Sequence, residues 1–210
     1  MLCKRVICLL TLSHGQLVRT KRFKVDRWYS LESFSFKGAD EVVVVDVSRD
    51  RKKTEATIAR LISEAFVPVT LGGGLRTLED AKWAFGAGAD KVLSSSGEFC
   101  REVSDFYGRQ ACVLGWTDGL KNFPELCHGE TLFQSVERDG SLLGYESPAC
   151  WPEFEVPIVV GSGCGNWSHM EEAFKAGADG CATSNVLHFS ESALSSCKQF
   201  LKTHGIKVRP

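Results

Sequence analysis

Two glycine-rich turns offer the first chemistry in the sequence. Gly72-Gly73-Gly74 follows an apolar run and precedes an amphipathic one, and Gly161-Ser162-Gly163 has the same setting later in the chain. Glycine lets backbone N–H groups approach an anion closely and tolerates the left-handed torsions such turns need. Each turn has a small polar companion further on, Ser94-Ser95-Ser96 and Thr183-Ser184-Asn185, leading toward a helix. Hydroxyls beside a helix N-terminus add donors for the same kind of ligand. One such turn can be a mere tight connection; two copies predict an elongated ligand with a phosphate at each end. The basic run Arg19–Lys24 reads as a solvated loop or as a flexible loop that closes over an anionic substrate.

The elements that must position these turns are strands alternating with helices. Apolar runs begin near Arg5, Glu41, Pro68, Asp90, Gln110, Thr131, Pro157 and Gly180. Some, such as Val42-Val43-Val44-Val45, are continuously apolar, as parallel strands buried on both faces are. Helical periodicity marks 54–66, 78–87, 98–107, 167–176 and 191–203. A shift of 89 residues lays Val67–Ser96 over Val156–Asn185 without a gap, matching Gly72/Gly161, Gly74/Gly163, Asp90/Asp179 and Ser95/Ser184 among others. The same shift pairs Glu41 with Glu130 and Asp50 with Asp139. The fold expected is α/β: one (β/α)8 barrel domain over 1–210, built from half-barrels of about 1–105 and 106–210. Gly88 and Gly177 read as helix caps, and Ser168 to Glu171 has capping-box spacing.

Composition removes other classes. A formal net charge of -1 gives no general attraction to nucleic acid or an acidic membrane. Nine cysteines without a CxxC pair suit a reduced, cytoplasmic chain in which they act as small apolar residues. The stretch Met1 to Leu12 reads as a buried strand rather than a signal peptide, and no run is long enough for a membrane span. His14, His128, His169 and His188 lack ligand spacing and are expected in loops or at the surface, so neither a metal nor a cofactor is expected.

The chain resembles the cyclase subunit of imidazole glycerol phosphate synthase, from histidine biosynthesis. The likeness is carried by 1–23, 40–47, 67–96, Arg138-Asp139-Gly140-Ser141-Leu142-Leu143-Gly144-Tyr145, 157–189 and the C-terminal 201–209. It implies a lyase that binds a bis-phosphorylated substrate and receives ammonia through the barrel from a glutamine amidotransferase docked at the bottom. It implies phosphate contacts at Gly74, Ser95 and Ser96 on one side and at Asp139, Gly140, Gly163 and Ser184 on the other. Arg19 falls where the family has a mobile lysine. An ammonia gate of four charged residues is implied at Arg5, Glu41, Lys91 and Glu130; a structural salt-bridge ring is the other reading of those four. Asp90 matches a position that contacts the amidotransferase.

The chain departs from the family at the catalytic centre. The two family aspartates, at the ends of the first and fifth strands, read Thr11 and Thr117. A threonine hydroxyl titrates far above neutral pH and cannot serve as the general base. Asp118 lies one residue late, where a strand neighbour faces the other way. Asp46, Glu137 and Asp139 stand near strand ends without rebuilding the pair. The fifth crossover, 118–129, is short for a parallel connection and predicts about one helical turn. Three functions follow: a cyclase with turnover weakened or lost, an ammonia-transfer paralogue for sugar amidation in surface polysaccharide synthesis, or a phosphate-binding scaffold. The segment Arg5–Lys24 is similar to the polysaccharide-associated paralogues, which also lack the first aspartate.

Overall fold

The structure, a computed structural model, describes residues 3–30, 36–48, 50–118, 127–153, 155–184 and 194–209. Strand β1 (Arg5–Ser13) runs into an antiparallel hairpin of β2 (Gln16–Lys21) and β3 (Lys24–Tyr29). Seven further strands follow: β4 (Glu41–Asp46), β5 (Val69–Gly72), β6 (Lys91–Ser94), β7 (Cys112–Thr117), β8 (Glu130–Gln134), β9 (Ile158–Gly161) and β10 (Gly180–Thr183). These seven lie parallel to β1 in sequence order, and β10 pairs with β1 from Arg5↔Gly180 to Cys8↔Thr183. The ring is therefore closed: an eight-stranded parallel barrel of the (β/α)8 type. Helices α1 (Arg51–Glu64), α2 (Leu78–Gly86), α3 (Gly97–Tyr107), α4 (Trp167–Lys175) and α5 (Leu194–Thr203) cover it.

Alternation along each strand explains both the closure and the site. Successive side chains point to opposite faces. Ile7, Leu9, Val43, Val113, Leu132 and Val159 fill the barrel interior, while Val6, Cys8, Leu10, Val42, Val44 and Leu71 pack outward in the larger core beneath the helices. Because both faces are buried, the strands read as unbroken apolar runs. Each of the eight barrel strands starts within two residues of the sequence expectation, which held no counterpart of β2 and β3.

An aspartate fastens three of the βα units at the base. Asp40 Oδ2 accepts from Val6 N at 2.8 Å, Asp90 Oδ2 from Val69 N at 2.8 Å and Asp179 Oδ2 from Ile158 N at 3.1 Å. In each case an aspartate just before one strand holds the start of its neighbour. Asp40 is also bound by the buried Lys198, at 2.7 Å, which ties α5 to the base. Under the 89-residue shift the fourth position is Gly129, where a Cβ would lie 2.7 Å from the Arg109 carbonyl oxygen and leaves no room for a side chain.

Several sequence expectations are corrected. The basic run 19–24 is not an irregular loop: it forms the end of β2 and the tip of the hairpin. The cap of α4 is Asn166, whose side chain accepts from His169 N at 3.2 Å, and Ser168 Oγ only donates to Asn166. The reciprocal capping box lies instead at Thr77 and Asp80 of α2, the position that the shift lays over Asn166. His128 is fully buried, with Nε2 3.0 Å from Thr131 Oγ1, and burial, then Arg109, lowers its pKa. Most of the fifth crossover (119–126), Asn185, His188 and the predicted start of the last helix (191–193) lie outside the described residues.

Gly73 shows how tightly the first glycine turn is packed. Its φ is +94°, and a Cβ would sit 2.1 Å from the Asp46 carbonyl oxygen. Gly73→Ala is expected to lower unfolding stability by roughly 2–4 kcal/mol, from left-handed strain plus a backbone clash. A urea midpoint unchanged from the native chain would contradict this.

Candidate functional site

Strand parity puts two charged and polar layers on one inner face. On β1 the inward residues are Arg5, Ile7, Leu9 and Thr11; on β8 they are Glu130, Leu132 and Gln134. The base layer is a closed ring. Arg5 Nη1 meets Glu41 Oε1 at 2.8 Å and its Nη2 binds Glu130; Lys91 Nζ meets the same two carboxylates at 3.2 and 3.1 Å. Glu41 and Glu130 are buried, and Arg5 is nearly so. Burial would raise the Glu41 pKa, yet Arg5 and Lys91 outweigh it and hold the carboxyl below its usual range. Burial also penalises the Arg5 charge, but the two glutamates more than offset this and raise its pKa. The four residues expected from sequence thus meet at one place.

Above the apolar middle, at the C-terminal ends of the strands, lies a cavity of about 520 Å³. Thr11 and Thr117 line it, as do Gly74, Ser95, Ser96, Asp139 and Ser184. Gly163 lines a small adjoining cavity of about 30 Å³ with Gln134, Ser162 and Thr183. Gly140 lines neither; it lies under the hairpin, where a Cβ would be 2.6 Å from the Thr20 carbonyl oxygen. Ser96 Oγ caps α3 by accepting from Phe99 N at 3.3 Å.

The other carboxylates have their own work. Asp118 faces away, as parity requires: its Oδ2 accepts from Ser135 Oγ at 2.6 Å and Val136 N at 3.2 Å. Asp46 reaches the cavity rim, but its oxygens accept from Ser48 Oγ at 2.6 Å and Thr54 Oγ1 at 2.8 Å. Glu137 is exposed and paired with Arg22 at 2.5 Å. Among the described residues, Asp46 and Asp139 are the carboxylates that line the cavity, and neither stands at the Thr11 or Thr117 position; each is engaged by its own neighbours.

Asp139 holds the hairpin over the mouth. The tip residues Arg22 and Phe23 have φ of +52° and +59°, the torsions of a two-residue type I′ turn that non-glycine residues adopt at a cost. Arg22 N donates to the Asp139 carbonyl at 3.2 Å, and Phe23 N donates to Asp139 Oδ2 at 2.9 Å. The Phe23 ring lines the cavity. Arg19 does not line it; its guanidinium meets Asp26 of β3 at 3.3 Å. Burial pushes the Asp139 carboxyl up, against opposing contributions from Phe23 N–H, Thr20 and Arg19. Sequence reasoning missed the hairpin clip and two cavity residues, Arg76 and Gln134. Gln134 was accessible from parity with Glu130. Arg76 was visible only as a lone cation after the glycine turn.

A closed parallel barrel with a polar cavity at the C-terminal ends of its strands is the setting in which (β/α)8 proteins place their functional sites. The chain belongs to the histidine biosynthesis protein family, whose model matches residues 5–117 and 103–193. It is 31% identical over 250 residues to imidazole glycerol phosphate synthase subunit HisF of Chlorobium phaeobacteroides, covering all of both chains. It is 28% identical over 249 residues to the subunit of the same name from Thermococcus gammatolerans, covering all of this chain and 99% of the relative. The chain thus resembles the cyclase subunit along its whole length, with divergence in keeping with its altered mouth. Among the described residues no helix is long and apolar enough to cross a membrane.

Proposed function

We propose that this chain is a cytoplasmic, ammonia-accepting barrel that pairs with a glutamine amidotransferase, holds a phosphorylated ligand at its mouth and has lost effective cyclase turnover. The observation that carries the reading is the pairing of a complete charged ring at the base with two threonines at the mouth. The ring residues Arg5, Glu41, Lys91 and Glu130 share the inner face that leads to the cavity. Thr11 and Thr117 supply hydroxyls where acid–base chemistry needs carboxylates. Ammonia delivery needs only a passage and an acceptor, so it survives the loss of that pair. Transfer to a sugar acceptor fits this division better than cyclisation does.

The test is direct. The chain is mixed with a glutamine amidotransferase of the same family, and complex formation and glutamine hydrolysis are measured. A one-to-one complex with hydrolysis stimulated by about tenfold or more is the expected result. Absence of both complex and stimulation would leave the phosphate-binding scaffold as the better reading.

A further inference from the structure

The base of the barrel carries an apolar strip beside the charged ring. Helix α1 returns to β5 through Ala65-Phe66-Val67-Pro68, and α2 returns to β6 through Ala87-Gly88-Ala89. Both returns end where strands begin, so both border the floor. They lie side by side. Asp90 N donates to the Val69 carbonyl at 2.8 Å, Val69 N donates back to Asp90 Oδ2 at 2.8 Å, and a Cβ on Gly88 would meet Ile62 Cγ2 at 2.9 Å. These seven residues carry no charge. The carboxylates at the two ends of the strip have their own partners: Asp90 holds Val69 N, and Glu64 meets Arg60 at 2.9 Å.

One aromatic ring projects from this strip. Phe66 is 97% exposed, more than any other large apolar side chain among the described residues. Ala65 and Val67 on either side are half-buried and pack on the outer core, and Ala65 N donates to the Ile62 carbonyl at 3.2 Å, so the backbone under the ring is anchored. A single exposed apolar side chain is ordinary on a protein surface. This one is set apart by its place. Strand β5 runs between β4 and β6, whose first residues are the ring members Glu41 and Lys91. A donor that passes ammonia through the ring must exclude water around it, because ammonia released into water is protonated and lost. Such a donor covers the rim next to Glu41 and Lys91, and that rim is the strip. The centre of a protein interface is depleted in charge and enriched in aromatic residues, as the strip is.

We propose that Phe66 is the anchor of the amidotransferase interface: its ring enters an apolar pocket of the partner, and the small residues 87–89 let the partner lie flat beside it. This rests on the proposed pairing with an amidotransferase and adds where on the base the partner grips and what it must bring, an uncharged apolar pocket rather than a charged complement.

Calorimetric titration of the full chain with a glutamine amidotransferase of the same family tests it, for the native protein and three variants. Phe66→Ala should weaken the complex by about tenfold or more, as truncating an interface anchor does. Phe66→Leu should fall between, because it keeps an apolar side chain and loses the ring. Phe106→Ala removes a second exposed aromatic, one that lies against Tyr107 and Lys82 on the helical flank; its affinity should stay within about twofold of native. Thermal midpoints of all variants should match the native chain, since the Phe66 ring lies in solvent. Sedimentation of the chain alone should give a monomer. A Phe66→Ala chain with native affinity, or an equal loss in Phe106→Ala, would overturn the anchor while leaving the pairing intact. A homodimer that Phe66→Ala dissolves would assign the strip to a second copy of this chain instead. Absence of any complex with the native chain would overturn both readings together, so the two failures are told apart.

Discussion

A histidine auxotroph lacking its cyclase is expected to stay dependent on added histidine when it expresses this chain. The reason lies in two side chains. Thr11 and Thr117 project from the ends of β1 and β7 into the cavity, on the inward parity of their strands. Each missing acid–base group typically costs about 10²–10⁴ in rate. Losses of groups that act together do not add, so the smaller figure for one group is the floor. Purified protein should therefore turn over the cyclase substrate at least about 10²-fold more slowly than a relative with both carboxylates. The nearby acids do not repair this. Asp118 is turned to Ser135, Asp46 is bound by Ser48 and Thr54, and Asp139 is held by the hairpin tip. Restoring both carboxylates with Thr11→Asp and Thr117→Asp together should raise turnover above either single change. Growth of the auxotroph on the native chain would remove the argument for lost chemistry.

The second large effect is on stability. Arg5→Ala is expected to destabilise the fold by roughly 3 kcal/mol, the lower part of the range for removing one partner of a buried ion pair. Glu41 and Glu130 would be left facing each other with only Lys91, which is more exposed than Arg5. For a chain of this size the melting midpoint should fall by about 6–12 °C. The same ring makes the protein sensitive to acid. Glu41 has its pKa lowered in the folded state, so its contribution is complete above its unfolded value, about pH 4.3, and is lost as the pH falls through the lowered value. Arg5→Ala should therefore show a smaller stability loss between pH 5 and strongly acidic solution than the native chain. Equal melting curves for the two proteins at neutral pH would show that the ring adds nothing to stability.

The barrel was legible because its strands are apolar on both faces and its halves repeat. Parity excluded Asp118 from the sequence alone; the same count in twos leads from Arg5 to Thr11, which the resemblance supplied, and from Glu130 to Gln134, which was missed. The hairpin was not legible for a physical reason. Strand β3 has almost no buried side chain and pairs only with β2, so it shows no alternation, and its cations resemble a solvated loop. Its docking depends on Asp139, more than a hundred residues away in sequence, through backbone donors that carry no residue signature. His128 was misplaced for a similar reason, since its burial comes from neighbours brought in by the barrel. The aspartates before β4, β6 and β10 were visible as a repeated Ala-Asp, but not their bonds to the neighbouring strand.

The base and the mouth obey different symmetries. Arg5 and Lys91 stand three strands apart around the ring, but Glu41 and Glu130 begin strands on opposite sides of the barrel and each receives both cations, so the two acids of the floor match after a half-turn about the axis. The rim does not, with Arg76 on one side and the clipped Asp139 on the other. Under the proposed function, ammonia would pass a floor whose acids are paired, and an elongated ligand above would meet unlike surroundings at its two ends. Under that function, a nucleophile rising along the axis would meet one flank of that ligand, and the unlike sides of the rim would set which.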